Sequence, residues 1–221
     1  AGGVPVFVDQ DMLTGCLSPQ AVEDAITPRT KAIIAVNIFG GPAEVIELRT
    51  LADLRGLILI EDNAQGPGGK KQGRMLGTIG HIGVFSLNCH KTIQCGEGGI
   101  VLTNDERLAR RVALVRNHGE NAVAGMGCDE DSDIVGYNYR LTELQAAIAR
   151  VQLDRLEELT ATRMRIVDAL DAVFGQYPGL RIAQNAPGDR HVYYIYPVGV
   201  DCDEAVIVFD RVVAALDGDC A

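Results

Sequence analysis

The chain has 221 residues, with 30 acidic and 20 basic side chains that give a formal net charge of −10. This balance argues against a nucleic-acid-binding surface, which needs clustered Lys and Arg to neutralise phosphates. A local basic patch could still attract a small anionic substrate. Hydrophobic residues make up 47% of the chain, and no apolar run approaches the length of a membrane span. Composition therefore predicts a soluble globular protein with no membrane partner.

The six cysteines form no Cys-x-x-Cys pair and show no ligand-like spacing with the four histidines. This pattern predicts no metal site. We interpret the cysteines as reduced thiols in a cytoplasmic protein, and Cys89 and Cys95 as small buried hydrophobes.

The first half of the chain alternates between strand and helix patterns. Residues 4–9 and 31–36 are typical of strands, and Ser18-Pro19 predicts the start of a helix over residues 20–26. Residues 45–54 have apolar side chains at helical spacing before Gly56, and a further strand begins at Leu57. The alternation predicts an α/β fold with a mostly parallel sheet covered by helices.

A polar cluster, residues 61–65, follows the apolar run 57–60. Ligands of open α/β sheets bind beyond the carboxyl ends of the strands, so these carboxylates are predicted to face a site. The glycine-rich stretch 66–80 shows no periodicity and is predicted to be a surface loop.

Lys91 lies in a polar loop between two strand-like runs, residues 83–87 and 99–103. A lysine attacks a carbonyl only as the neutral amine, which burial between two core strands would favour. Taken alone, a single lysine in a loop is more typical of an ordinary surface position. An acid at a strand end, with a serine and a lysine on another strand and its loop, suits pyridoxal phosphate.

The second half is predicted to be mainly helical at first. Helices are expected over residues 106–116, capped by Asn104-Asp105, and from the capping box at Thr142 and Gln145 in one long run towards Val173. A mobile loop is expected at 125–133, a strand at 191–200 and a helix at 203–216. We divide the chain into a large domain (1–140), a connecting helix (141–177) and the start of a small α+β domain (178–221).

Seven motifs occur in a characteristic order along the chain, at residues 61–65, 77–80, 85–86, 90–91, 96–99, 116–119 and 136–147. Together they resemble the DegT/StrS family of sugar aminotransferases, over about residues 5–200. The family consists of pyridoxal-phosphate enzymes with the aspartate-aminotransferase fold, also called fold type I.

The resemblance implies a role for five residues. Lys91 would be the catalytic residue and would form a Schiff base with pyridoxal 5'-phosphate. Asp62 would pair with the pyridine nitrogen, Gln65 would meet the phenolic oxygen, and Ser86 would bind the phosphate. Asn138 would contact the phosphate in the site of a partner subunit, so the resemblance implies a homodimer with shared active sites.

The implied reaction moves an amino group from glutamate or glutamine to a nucleotide-linked keto sugar or to a keto-cyclitol. The open alternatives are a non-catalytic or regulatory remnant, and a dehydratase, since some relatives carry histidine in place of the lysine. The spacing to residues 96–99 favours Lys91 over His90 as the aligned residue. Asp62 and Asn138 could instead only shape turns.

The sequence departs from the family pattern in three respects. His81 stands where an acid is common, and Asn37 stands where a histidine is frequent. The N-terminal segment that supplies a phosphate-binding turn and an aromatic ring is absent. We therefore expect the chain to be the central part of a longer protein, with weak cofactor binding by residues 1–221 alone.

Overall fold

The computed structural model describes residues 2–120 and 134–200. In these residues, no helix is long and apolar enough to cross a membrane. The elements in chain order are α1 (Pro19–Ala25), β1 (Ala32–Val36), α2 (Val45–Arg55), β2 (Ile58–Asp62), β3 (Lys70–Lys71), β4 (Arg74–Met75), β5 (Ile82–Ser86), β6 (Gly99–Leu102), α3 (Glu106–Arg116), α4 (Glu143–Asp154), α5 (Leu156–Phe174), β7 (Leu180–Ile182) and β8 (Val198–Val200).

A four-stranded sheet with the order β1-β2-β5-β6 forms the centre of the fold. Strands β1, β2 and β5 are parallel, and β6 is an antiparallel edge strand. The register places Val36 opposite Asp62, and Asp62 opposite Val84. The carboxyl ends of the three parallel strands therefore meet at one edge. The predicted α/β fold with a mostly parallel sheet is confirmed.

The main hydrophobic core lies between one face of this sheet and helices α1 and α2. Alternation along β2 buries Leu59 and Glu61 on this face, because successive side chains of a strand point to opposite sides. Apolar residues at helical spacing on α2 meet them: Val45, Leu48 and Ala52 are fully buried. The opposite face of the sheet is more open, and Ile34 there is 60% exposed.

The predicted helix starts are confirmed by their caps. The Ser18 hydroxyl accepts from the backbone N–H of Ala21, and the Asp105 carboxylate accepts from that of Leu108. Thr142 forms the full capping box with Gln145. Each side chain satisfies an N–H that the first helical turn leaves without a partner.

A second apolar cluster supports the loop that contains Lys91. Leu87, Ile93 and Cys95 pack against Ala149 of α4 and Leu156 of α5. The loop joins β5 and β6, so the two strands that the sequence predicted on either side of Lys91 are confirmed, and the two helices add further support. The buried environment expected for Cys95 is present, but Cys89 is exposed.

Two predicted strands are wrong in whole or in part. Residues 4–9 form no strand, and Val4 and Phe7 are 87% and 92% exposed. Of residues 191–200, only β8 is a strand, and it pairs with β7. A strand needs a neighbour that supplies its hydrogen bonds, and neither pattern of side chains reveals whether such a neighbour exists.

Two further predictions need correction. The long helix is divided at Arg155, which ends α4 and precedes α5. Residues 66–80 are not simply a surface loop, because they include the hairpin β3–β4 and the buried side chains of Leu76 and Ile79. The loop expected at 125–133 and the helix at 203–216 lie outside the described residues. The division at residues 140 and 177 stays a prediction.

Lys71 joins three distant parts of the chain. Its Nζ lies 2.7 Å from Glu44 Oε1, just before α2, and 2.9 Å from Asp189 Oδ2. The side chains of Lys71 and Asp189 are only 7% and 5% exposed. Burial lowers the pKa of Lys71, but the hydrogen bonds to Glu44 and Asp189 outweigh that effect and raise the pKa above its ordinary value. The ammonium is therefore the form that pairs with both carboxylates.

Replacing Lys71 by methionine is expected to lower the free energy of unfolding by about 3 kcal/mol, since the buried Asp189 carboxylate loses its counter-charge. Urea denaturation measures the change. Lys31 is exposed and provides a matched control, because Lys31→Met should change stability by less than about 0.5 kcal/mol. Equal effects of the two substitutions would show that the buried ion pair does not stabilise the fold.

Candidate active site

Asp62 and Ser86 lie at the carboxyl edge of the sheet, where β2 and β5 end. Asp62 is opposite Val84, and Ser86 is two residues further along β5, so both side chains project from the same face. Asp62 Oδ1 accepts from the N–H of Ala64 at 3.1 Å, and Ser86 Oγ accepts from that of Asn88 at 3.3 Å. Within the described residues, no hydrogen bond uses Asp62 Oδ2 or the Ser86 hydroxyl proton.

Glu61 projects from the other face and is fully buried. Its carboxylate accepts from the backbone N–H of Gly77 at 2.7 Å, from that of Ile79 at 2.6 Å, and from that of Gly80. A buried carboxylate needs such donors, because an unpaired charge in the core is costly. Glu61 thus folds residues 77–80 back onto the end of β2.

Two buried asparagines extend this network. Asn37 donates from Nδ2 to Asn63 Oδ1 at 3.0 Å and accepts from the N–H of Ala43 at 3.1 Å. Asn63 in turn donates to the carbonyls of Gly66 and Leu76, both at 3.1 Å. Asn37, which the sequence analysis marked as a departure from the family pattern, therefore joins the end of β1 to the polar cluster after β2.

Gln65 stabilises a turn in the connection between β1 and α2. Its Oε1 accepts from the N–H of Phe39 at 2.6 Å, and Phe39 has a positive φ of 57°. A non-glycine residue in this conformation is uncommon and needs support from its surroundings. The bond uses the amide oxygen of Gln65, and its amide nitrogen makes no hydrogen bond in the part of the chain that the structure describes.

Lys91 is half-buried, and its Nζ lies 4.8 Å from the centroid of the Tyr194 ring. This is a cation–π distance. The Tyr194 ring therefore covers the Lys91 amine, whereas the sequence predicted burial of the amine between two strands. The preceding residue, His90, is exposed, and its backbone N–H donates to Asn88 Oδ1.

The segment that carries Tyr194 is held by its neighbours. His191 is buried and stacks on Tyr193 with ring centroids 3.9 Å apart. Burial lowers the pKa of His191 to about 4, so the neutral imidazole accepts from the Tyr193 N–H through Nδ1. The N–H of Val192 also donates to the Gly40 carbonyl at 2.9 Å. The segment that carries the Tyr194 ring is therefore fixed by hydrogen bonds and ring stacking.

Asn138 is exposed and pairs with Asn117 through an isolated β-bridge. Within the residues that the structure describes, no hydrogen bond joins Asn138 to Lys91, Asp62, Gln65 or Ser86. Asp62 and Ser86 thus share one edge and one face, and Gln65 follows Asp62 within the same polar cluster. Asn138 is presented on the surface instead.

The prediction that both carboxylates after the second strand face a site is wrong for Glu61, which is buried in the core, and the contribution of Tyr194 was not predicted. For Glu61 a signal was present, because alternation from Leu59 predicts that Glu61 shares its buried face while Asp62 faces the other way. For Tyr194 no local signal existed. Its contact with Lys91 spans more than a hundred residues and arises only in the folded chain.

Comparison with known proteins identifies the family. The DegT/DnrJ/EryC1/StrS aminotransferase family matches residues 1–219. The chain belongs to this family. Its members are pyridoxal-phosphate-dependent, and the resemblance inferred from the motifs is confirmed.

Individual relatives agree with this assignment. The L-glutamine:2-deoxy-scyllo-inosose aminotransferase of Streptoalloteichus tenebrarius is 40% identical over 210 residues, which are 92% of this chain and 49% of that protein. The structure of S. venezuelae DesV in complex with a ketimine intermediate has a TM-score of 0.80 and 33% identity, covering 91% of this chain and 53% of that one. E. coli GDP-4-keto-6-deoxy-D-mannose-3-dehydratase with bound hydrated pyridoxal phosphate has a TM-score of 0.77 and 29% identity, covering 89% and 54%.

The chain spans about half the length of the curated relatives it matches. The similarity to solved aminotransferases confirms the fold as that of the pyridoxal-phosphate enzymes of fold type I.

Glu61→Gln is expected to lower the free energy of unfolding by about 3 kcal/mol, because an amide nitrogen would then face backbone N–H donors in the core. Asp62→Asn makes the same chemical change one residue later, at a half-buried position. It should cost less than about 1 kcal/mol. Urea titration of both variants checks this difference, and equal losses would contradict the structural role of Glu61.

Proposed function

We propose that the protein is a pyridoxal-phosphate-dependent aminotransferase that acts in the cytoplasm. It transfers an amino group from glutamate or glutamine to a nucleotide-linked keto sugar or to a keto-cyclitol. The observation that carries the proposal is the edge at which Asp62 and Ser86 project from the same sheet face, with the Lys91 amine held on the loop that follows Ser86. Membership of the aminotransferase family supports it.

The donor set at this edge fits the cofactor. Pyridoxal phosphate has a ring nitrogen that needs an acid, a phenolic oxygen that needs a donor, a phosphate and an aldehyde. Asp62 would hold the proton of the ring nitrogen, the Gln65 amide nitrogen would donate to the phenolic oxygen, and the Ser86 hydroxyl would donate to the phosphate. Lys91 would hold the aldehyde carbon covalently through Nζ.

The cofactor supplies an electron-withdrawing ring that makes a proton on the amino donor acidic. The residues of this chain would manage that proton. Lys91 Nζ would be the base that accepts this proton from the amino donor and returns it. Asp62, as the anion, would keep the ring nitrogen protonated, which is the condition for the ring to withdraw electrons.

The names of the relatives support one class of acceptor. The name of the Streptoalloteichus enzyme states glutamine as donor and a keto-cyclitol as acceptor, and DesI was solved with a TDP-sugar product. These names support a cyclic polyhydroxy ketone as the acceptor. Incubating the protein with ¹⁵N-labelled glutamine or glutamate and a panel of keto sugars and keto-cyclitols would identify the pair.

The dehydratase alternative depends on a histidine in place of the lysine. Here His90 is exposed, whereas Lys91 directs its amine over Tyr194. This geometry favours amino transfer by Lys91. A remnant that has lost catalysis remains the other alternative, and cofactor binding distinguishes it.

The protein mixed with pyridoxal phosphate is expected to show a visible absorbance band from cofactor bonded to lysine, and Lys91→Ala should abolish that band. His90→Ala is the matched control and should retain the band, because its side chain is exposed. A protein without any band under saturating cofactor would favour the non-catalytic alternative. A band that survives in Lys91→Ala would show that another lysine binds the cofactor.

We also propose that two copies of the chain form a dimer with shared active sites. Asn138 is exposed beside Tyr137 and Tyr139, whose rings stack with centroids 5.1 Å apart. On α4, Leu144, Ala147, Ile148 and Val151 form an exposed apolar stripe. A stripe of this kind close to the Asn138 loop suits a second copy, to whose site Asn138 would contribute a neutral phosphate donor.

Mixing Asn138→Leu protein with Lys91→Ala protein is expected to restore up to about half of the native activity per exchanged dimer, since each heterodimer has one site with both residues intact. Activity after subunit exchange is the measurement, and each variant alone is the control. If exchange is demonstrated by mass and the mixture stays inactive, Asn138 does not act in the partner's site.

A further inference from the structure

Arg163 on α5 is a half-buried cation that reaches the loop of Lys91. Its Nη1 donates to Thr92 Oγ1 at 2.9 Å and to the Val192 carbonyl at 3.4 Å. Both acceptors are uncharged, and burial lowers the pKa of the guanidinium from its ordinary value. An arginine nevertheless stays protonated in proteins, so a fixed positive charge with several donors lies at this junction.

The two acceptors flank the contact that covers Lys91. Thr92 directly follows Lys91, and Val192 lies two residues before Tyr194, whose ring centroid is 4.8 Å from Lys91 Nζ. A single guanidinium therefore links the segment that carries the amine to the segment that carries the ring. Nη1 carries two hydrogens, so this one nitrogen can donate to both acceptors at once.

The segment that carries Tyr194 is also hydrogen-bonded to the connection between β1 and α2. The Val192 N–H donates to the Gly40 carbonyl, and the Ile195 N–H donates to the Phe39 carbonyl at 3.4 Å. Phe39 is in turn held by Gln65. Gly40 has a φ of 88°, and a Cβ there would lie 2.7 Å from Val192 Cγ2, so the approach of the segments requires glycine. The ring segment is thus anchored, and Arg163 ties the lysine loop to it.

We propose that Arg163 is a positioning residue that holds the Lys91–Thr92 turn against Tyr194 and so sets the direction of the Lys91 amine. The inference deepens the proposed function, and its cofactor readout rests on it. Arg163 contacts the turn and the ring segment, so it acts through Lys91. Misplacement of a reacting group by about 1 Å can cost up to about a hundredfold in rate, which makes such a link worth testing.

The test measures the reactivity of the Lys91 amine in two ways. Free protein is labelled with trinitrobenzenesulfonate, and the rate of modification at Lys91 is read by peptide mass spectrometry. In a separate experiment, pyridoxal phosphate is added and borohydride is used at timed intervals to reduce the imine between the cofactor aldehyde and lysine. The fraction of Lys91 that carries the reduced cofactor is then measured by peptide mass spectrometry. The first readout needs no cofactor, so it does not depend on the proposed function.

Arg163→Met is expected to slow borohydride-trapped capture at Lys91 by about tenfold and to change the rate of modification by trinitrobenzenesulfonate. Thr92→Val removes the same contact from the other side and should act in the same direction. Because the two residues act through one bond, the double variant should be no slower than Arg163→Met alone. Arg163→Lys keeps the charge and one donor and should recover part of the rate.

Arg165→Met is the matched control, because Arg165 is exposed on the same helix and donates to Thr162 instead. It should match the unmodified protein in both readouts. Circular dichroism establishes that each variant is folded, and Thr92→Val, a loop substitution, carries the test if Arg163→Met unfolds.

Native reactivity of Lys91 in folded Arg163→Met and Thr92→Val would overturn the inference, as would additive effects in the double variant. A protein whose Lys91 captures no pyridoxal phosphate before any substitution would instead overturn the proposed function. In that case the labelling rates with trinitrobenzenesulfonate still decide whether Arg163 positions the amine.

Discussion

The buried carboxylate of Glu61 is the constraint on which the arrangement of this edge depends. It accepts hydrogen bonds from three backbone N–H groups of residues 77–80 and so holds that turn against the end of β2. Gly83 packs against the Gly77 backbone so closely that a Cβ would clash with the Gly77 carbonyl. A charge buried without these donors would be too costly to keep, so the turn and the strand end form together.

Because Glu61 points into the core, its neighbour Asp62 points away from it. The parallel register then brings Asp62 and Ser86 to the same edge and face, as in other sheets whose ligands lie beyond the strand ends. The two adjacent acids thus have opposite roles. Glu61 stabilises the fold, whereas Asp62 Oδ2 makes no hydrogen bond within the residues that the structure describes.

Two cations connect the later part of the chain to this edge. Lys71 pairs with Asp189, and Arg163 bridges Thr92 and Val192. Lys71 therefore ties the segment around residues 189–196 to the β3–β4 hairpin, and Arg163 ties it to the Lys91 loop. That segment carries the Tyr194 ring to Lys91. Charged contacts suit this purpose because their geometry is directional, whereas apolar packing alone would tolerate sliding.

The sequence by itself determined the local features of this protein. The starts of α1, α3 and α4 follow from Ser18, Asp105 and Thr142, because a cap and a helix form their hydrogen bonds within one short segment. The strands β1, β2, β5 and β6 and the family follow from apolar runs and motifs. Only the tertiary structure decided that residues 4–9 form no strand, that the helix divides at Arg155, and that Tyr194 and Arg163 reach the Lys91 loop. Strand pairing and these contacts join residues far apart in the chain, and no local pattern of side chains specifies such partners.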